Sequence, residues 1–101
     1  MNTSMIRNAI TKKELIEFTY HGYVRIAEPH VYGIREGRRQ ILVYQIGGAT
    51  SSGKIPDWRL INLDEISGLR VLGGQTYPGL REKSQSSVGD LDWDTIIASV
   101  K

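Results

Sequence analysis

The sequence predicts a mainly β protein: a small five-stranded antiparallel barrel with a short N-terminal helix and a C-terminal helix. Three observations predict it. From Glu14 onward the apolar residues recur with a period of two, as in "ELIEFTY". Gly-bearing turns divide this stretch into about five short runs, and short hairpin-linked strands usually curl and close rather than stay flat. At the tail the period returns to 3.6, with Trp93, Ile96, Ile97 and Val100 at i, i+3, i+4 and i+7.

The first helix opens at "TSMIRNAI". Thr3 and Ser4 are suited to cap it, and Ile6, Ala9 and Ile10 make one apolar face. Lys12 and Lys13 close it. In the first strand Ile16, Phe18 and Tyr20 point one way, and Leu15, Glu17 and Thr19 the other. His21-Gly22 then reads as a hairpin turn. The run "YVRIAEPHVYGI" is a longer strand in which Pro29, lacking an N–H, marks an edge or a bulge. "REGR" turns the chain around Gly37, which is free to take positive φ. "RQILVYQI", apolar on both faces, is the central strand.

A Gly/Ser loop leads to the strand "DWRLINL". Asp64 caps a single helical turn closed by Gly68, and "LRVL" is the last strand. The segment "GGQTYPGLREKSQSSVG" has linker composition. Asp90, Asp92 and Asp94 at the start of the tail helix and Lys101 at its end match the helix dipole. The organisation is one barrel domain over residues 1–74. Residues 75–101 form a linker and an amphipathic helix, which packs on the barrel or on a second copy, making a homodimer the expected assembly.

Composition bounds the function. The chain has 101 residues, 40% of them apolar, enough for one modest core. It has no Cys, so disulfides and thiolate metal sites are excluded. Neither a membrane-spanning run nor a signal-peptide core is present, so a soluble cytoplasmic protein without membrane contact is expected. Net charge is +2, unevenly spread: residues 1–81 carry eleven Lys/Arg against seven Asp/Glu, and residues 82–101 two against four. Eight of the thirteen cations are Arg, the residue suited to forked anion contacts.

"GGATSSGKIP" nearly spells a phosphate-binding P-loop. Gly48, Gly53 and Lys54 fit, but Ile55 stands where a Mg²⁺-binding hydroxyl is needed, and no helical period follows. The stretch therefore reads as a hairpin loop.

At "RIAEPH", "RQILVYQ" and "DWRLINLDEI" the chain resembles the WYL domain family, over roughly residues 6 to 72. Arg25 and Pro29 fit its first element, and Leu42 fits the Leu of the Trp-Tyr-Leu signature, with Gln40 and Ile41 in place of Trp and Tyr. Arg59, Leu63, Asp64 and Ile66 fit its last element; Ile61 replaces an aromatic residue, and Asn62 and Glu65 replace Arg. The resemblance implies an Sm-like (Src-homology-3-like) barrel and a bacterial regulatory or ligand-sensing module that binds nucleotides or nucleic acid through a basic groove. No helix-turn-helix pattern accompanies it.

Arg25 and Arg59, both on strands, are the candidate anion-binding pair, with Tyr44 or His30 beside them. His30 follows Pro29 at the suspected bulge, a place where side chains are re-aimed. His21 should face solvent. The turn residues Arg35, Arg38 and Arg39 offer weak, sequence-independent nucleic-acid contact, and Tyr20, Tyr23, Tyr32 and Tyr44 could stack bases. Ser51 and Ser52 have no assigned base, and Glu14 and Glu17 are exposed strand positions, so no catalytic set emerges. The two His residues and the carboxylates show no metal-site spacing, and no cofactor is called for. The reading is a non-enzymatic module for a small anionic ligand or nucleotide. The alternatives are a nucleic-acid-binding accessory protein and a protein-interaction module without a ligand.

Overall fold

The computed structural model describes residues 3–81 and 91–101. Helix α1 (Thr3–Lys12) is followed by strands β1 (Glu14–Tyr20), β2 (Tyr23–Arg35), β3 (Arg38–Gly48) and β4 (Asp57–Asn62). A 3-10 turn (Leu63–Glu65), β5 (Ile66–Thr76) and β6 (Thr95–Ser99) complete the order. Thr3 and Ser4 lie inside α1 rather than at its cap. The face formed by Ile6, Ala9 and Ile10 is buried, as the spacing requires.

The strands form one antiparallel sheet in the order β4-β3-β2-β1-β5, with β6 added to β2. Two turns fix its register. Tyr20 pairs with Tyr23 and Arg35 with Arg38, leaving two-residue loops. Both residues of each loop have positive φ: His21 and Gly22, then Glu36 and Gly37. That is the mirror-image turn whose twist suits a hairpin. β3 is central in its half of the sheet, and its Ile41, Leu42 and Val43 are all buried.

The expected barrel does not close. β4 and β5 remain the two ends of the strand path, with no pairing between them. The reason lies in β2: β3 lines one edge of it from Arg25 to Arg35, while β1 covers only Tyr23 to Ala27 of the other. Its first half pairs with β1, and its second half, Val31 to Ile34, pairs with β6. Between the halves the register shifts at His30, an extra residue between the pairs Pro29–Val43 and Val31–Leu42. Such a bulge bends its strand and frees backbone groups. They are satisfied from the C-terminal region: Tyr77 Oη donates to the Pro29 carbonyl, and Val100 N donates to the His30 carbonyl at 2.8 Å. α1 packs against β1, β2, β5 and β6.

The expected C-terminal helix is strand β6. Its Thr95, Ile96 and Ile97 are β-branched, stiff at χ1 and suited to a pleated surface. Ile96 and Ile97 are half-exposed, while Val100 is buried in the core. Gly33 makes this docking close: a Cβ there would overlap the Thr95 carbonyl and the Trp93 ring. Asp94 Oδ2 accepts from Gly37 N at 3.3 Å, so it serves the β2–β3 turn rather than a helix start. Asp90 falls outside the described residues. The segment read as a linker is partly sheet, since β5 runs to Thr76 and Tyr77 is buried in the core. The single helical turn is present at Leu63–Glu65, but Asn62 precedes it and Gly68 belongs to β5.

Candidate functional site

The stretch between Gly48 and Asp57 is a hairpin loop. β3 and β4 pair antiparallel on either side of it, with Gln45 opposite Asp57. No helix follows Lys54, so the backbone dipole a P-loop uses is missing there.

Arg25 and Arg59 come together at this loop. Arg25 pairs with Gly48 in β3, and Arg59 pairs with Val43, itself opposite Pro29. Arg25 is 5% exposed. Its Nε and Nη2 donate to the Tyr20 carbonyl at 3.3 and 3.2 Å, and its Nη1 donates to Gln45 Oε1 and Thr50 Oγ1 at 3.3 and 3.4 Å. Gln45 Nε2 in turn donates to the Gly47 and Ala49 carbonyls. Arg25 therefore holds the loop root and has little left for a ligand.

Arg59 lies further out. Its Nη2 donates to the Lys54 carbonyl at 2.7 Å and to Ser52 Oγ at 3.1 Å, and Asp57 is 3.8 Å away. Its Nε is buried without a partner among the described residues. Burial pushes the Arg25 guanidinium down from its ordinary value, and the positive field of Arg59 adds to that. Among the described residues Asp57 is the one acid in ion-pair reach of Arg25, Lys54 or Arg59, so the loop corner carries a surplus of positive charge.

His30 and Tyr44 do not join them. Glu28 pairs with Tyr44 and Tyr44 with Trp58, so these three side chains share one face of the sheet. Arg25 and Arg59 are on the other. His30 is fully buried, with Nε2 3.0 Å from Glu28 Oε1 and Nδ1 without a partner among the described residues. Its ring meets Trp58 edge-on at 4.8 Å and Tyr77 at 5.3 Å. The carboxylate of Glu28 takes the fork of Arg81, Nε at 2.7 Å and Nη2 at 2.6 Å. The Arg81 guanidinium lies 4.5 Å over the Tyr44 ring. Burial pushes the Glu28 carboxyl up, but its hydrogen bonds with Arg81 and His30 outweigh burial and hold it below its ordinary value. Burial pushes the Tyr77 phenol up.

The basic turn is largely neutralised. Arg38 meets Asp64 and Glu65 at 3.2 and 3.1 Å, and Arg35 lies 3.7 Å from Glu36. Of the three, Arg39 has no ion pair among the described residues. A cavity of about 270 Å³ lies here, lined by Thr3, Gly37, Arg38, Arg39, Leu63 and Asp64. His21 is exposed and pairs with Glu65 at 2.8 Å. Of the four strand tyrosines, Tyr20 and Tyr32 are buried in the core and Tyr44 is taken up by Arg81 and Trp58, which leaves Tyr23 the most open to a base.

Ser52 accepts from Arg59, and neither His21 nor His30 is hydrogen-bonded to it. Glu17 pairs with Arg70. Among the described residues no three His, Asp or Glu side chains are grouped as a metal site would need. No helix among them is long and apolar enough to cross a membrane. Sequence reasoning missed Glu28 and Arg81. The signal for Glu28 was an acidic residue within "RIAEPHV", a run whose neighbours are otherwise mostly apolar; Arg81 gave none, because it stands 53 residues away.

No protein-family model, curated protein or solved structure matches the chain. The likeness to the WYL family rests on the residues quoted for it.

Proposed function

We propose that this chain is a non-enzymatic binding module that takes a small anionic ligand, such as a nucleotide or diphosphate, at the loop between β3 and β4. One observation carries the reading: the positive field of Arg59 reaches the buried Arg25, and among the described residues Asp57, 3.8 Å from Arg59, is the one acid paired there. Like charges brought together raise the free energy of the empty site, and an anion between the loop hydroxyls would relieve it. Arg59, its side chain 19% exposed, supplies the reachable guanidinium, Lys54 the neighbouring charge, and Arg25 the rigid support. The resemblance of residues 6 to 72 to a ligand-sensing family points the same way. The nucleic-acid reading is less favoured, because Glu36, Asp64 and Glu65 are interleaved with the turn arginines.

Calorimetric titration of pyrophosphate and ADP at two salt concentrations tests this. Arg59→Ala should weaken binding by roughly ten- to a hundredfold, the worth of one charge-assisted hydrogen bond. Arg39→Ala should change it little, and less still in high salt. Equal losses in both variants would replace the site with diffuse polyanion attraction. Absence of binding to wild type would leave the protein-interaction reading.

A further inference from the structure

We infer that Glu28, His30, Tyr44 and Trp58 form a guanidinium-binding cradle, which Arg81 of the same chain occupies as a resident ligand. This site lies on the sheet face opposite the loop corner and is independent of the anion reading.

The cradle has the parts that guanidinium recognition needs. A planar fork is matched by a carboxylate that can accept two parallel bonds, and Glu28 does so with a side chain only 3% exposed. An aromatic face adds attraction for the delocalised cation, and Tyr44 lies 4.5 Å from it. His30 holds Glu28 from within, while Trp58 backs both His30 and Tyr44. All four residues stand on β2, β3 and β4; Glu28, Tyr44 and Trp58 are locked by pairing, and the bulged His30 is held through its carbonyl by Val100 N. Arg81 differs from them. It lies outside every helix and strand, and its side chain is 40% exposed. A rigid acidic slot with aromatic walls, filled from outside by a chain segment of irregular structure, has the form of a receptor and its ligand. An arginine side chain on a partner peptide has the same chemistry and would compete with Arg81 for the slot.

The full chain with Arg81→Ala tests this, with methylguanidine and N-acetylarginine amide as probes at millimolar concentration. Circular dichroism first confirms that the variant is folded. Methylguanidine should bind it saturably and raise its melting temperature, at least tenfold more tightly than it binds wild type, where Arg81 competes. Methylammonium, which lacks the fork, should bind at least tenfold more weakly. Adding Glu28→Gln should abolish the response. N-acetylarginine amide should enter as methylguanidine does. Equal affinity for wild type and variant, no preference over methylammonium, or a response that survives Glu28→Gln would each overturn the inference. Exclusion of N-acetylarginine amide would also overturn it, marking the slot as a closed internal strut. If Arg81→Ala does not fold, Arg81→Lys keeps a charge near Glu28 and the same series is run on it.

Discussion

Two corners of this sheet carry paired arginines, and they differ in what surrounds them. At the β3–β4 loop, Arg25 and Arg59 meet hydroxyls, carbonyls and, among the described residues, a single acid at 3.8 Å. At the β2–β3 turn, Arg38 lies against two carboxylates within 3.2 Å. The loop corner keeps its positive charge and the turn corner cancels it, although "REGRR" at the turn is the more basic stretch of sequence. Within the loop corner a further division holds. Arg25 is buried and gives its donors to the chain itself, whereas Arg59, its side chain 19% exposed, lies nearer the surface. An arginine's functional reach depends on how the fold surrounds its guanidinium, and local density of positive charge is a poor guide to that.

The largest expected effect comes from removing the consumed arginine. Arg25→Met should destabilise the chain by about 3 kcal/mol in urea unfolding, because the Tyr20 carbonyl and Gln45 lose buried partners. A loss under about 0.5 kcal/mol would mean that the loop is held some other way and that the contrast between Arg25 and Arg59 is unfounded.

Gly33→Ala comes next. Its Cβ would strike the Thr95 carbonyl and the Trp93 ring, so β6 must shift, at a cost of about 2 kcal/mol. Near-ultraviolet dichroism of the tryptophans checks it, and an unchanged spectrum with unchanged stability would contradict the close docking.

Glu28→Gln should cost about 1–2 kcal/mol at neutral pH, since Arg81 can turn partly to solvent when its acid is lost. The pH dependence carries a definite sign. The Glu28 carboxyl titrates below its ordinary value of 4.5 in the folded chain. Its contribution is therefore complete above that value and is lost as pH falls through the lower folded one. The stability gap between wild type and Glu28→Gln should be flat from about pH 6 to 8 and close on further acidification. A gap that widened in acid would reverse the assignment. The smallest effect is that of Arg39→Ala, within about 0.5 kcal/mol in the same unfolding assay, because the residue has no ion pair among those described.

Much of this architecture is legible in the residues themselves. Period-two alternation places β1, apolar residues on both faces place β3, both glycine turns lie where Gly22 and Gly37 stand, and Pro29 marks the bulge. The tail misleads for a physical reason. Trp93, Ile96, Ile97 and Val100 satisfy a helical spacing, yet three of the five residues of "TIIAS" are β-branched, and the free edge of β2 outweighs the marginal stability of one short helix. Within the candidate site, the meeting of Arg25 and Arg59 follows from their strands. Alternation also separates Arg25 from His30, five positions apart, onto opposite faces, a signal that the sequence reading left unused. The partnership of Glu28 with Arg81 depends on a segment of no regular period, and nothing local encodes it.

The division of β2 between two partners has a consequence for how the molecule opens. Its first half is tied to β1 through a two-residue turn, but its second half is closed by a strand from the far end of the chain. Long-range pairings form late and open early, so amide hydrogens along β6 should exchange with solvent before those along β1. Each such opening bares Val31 and Tyr32 beside unpaired backbone groups, a ready template for a neighbouring chain. The last strand is thus a guard against self-association, and the time it spends undocked sets how often the protein is exposed to it.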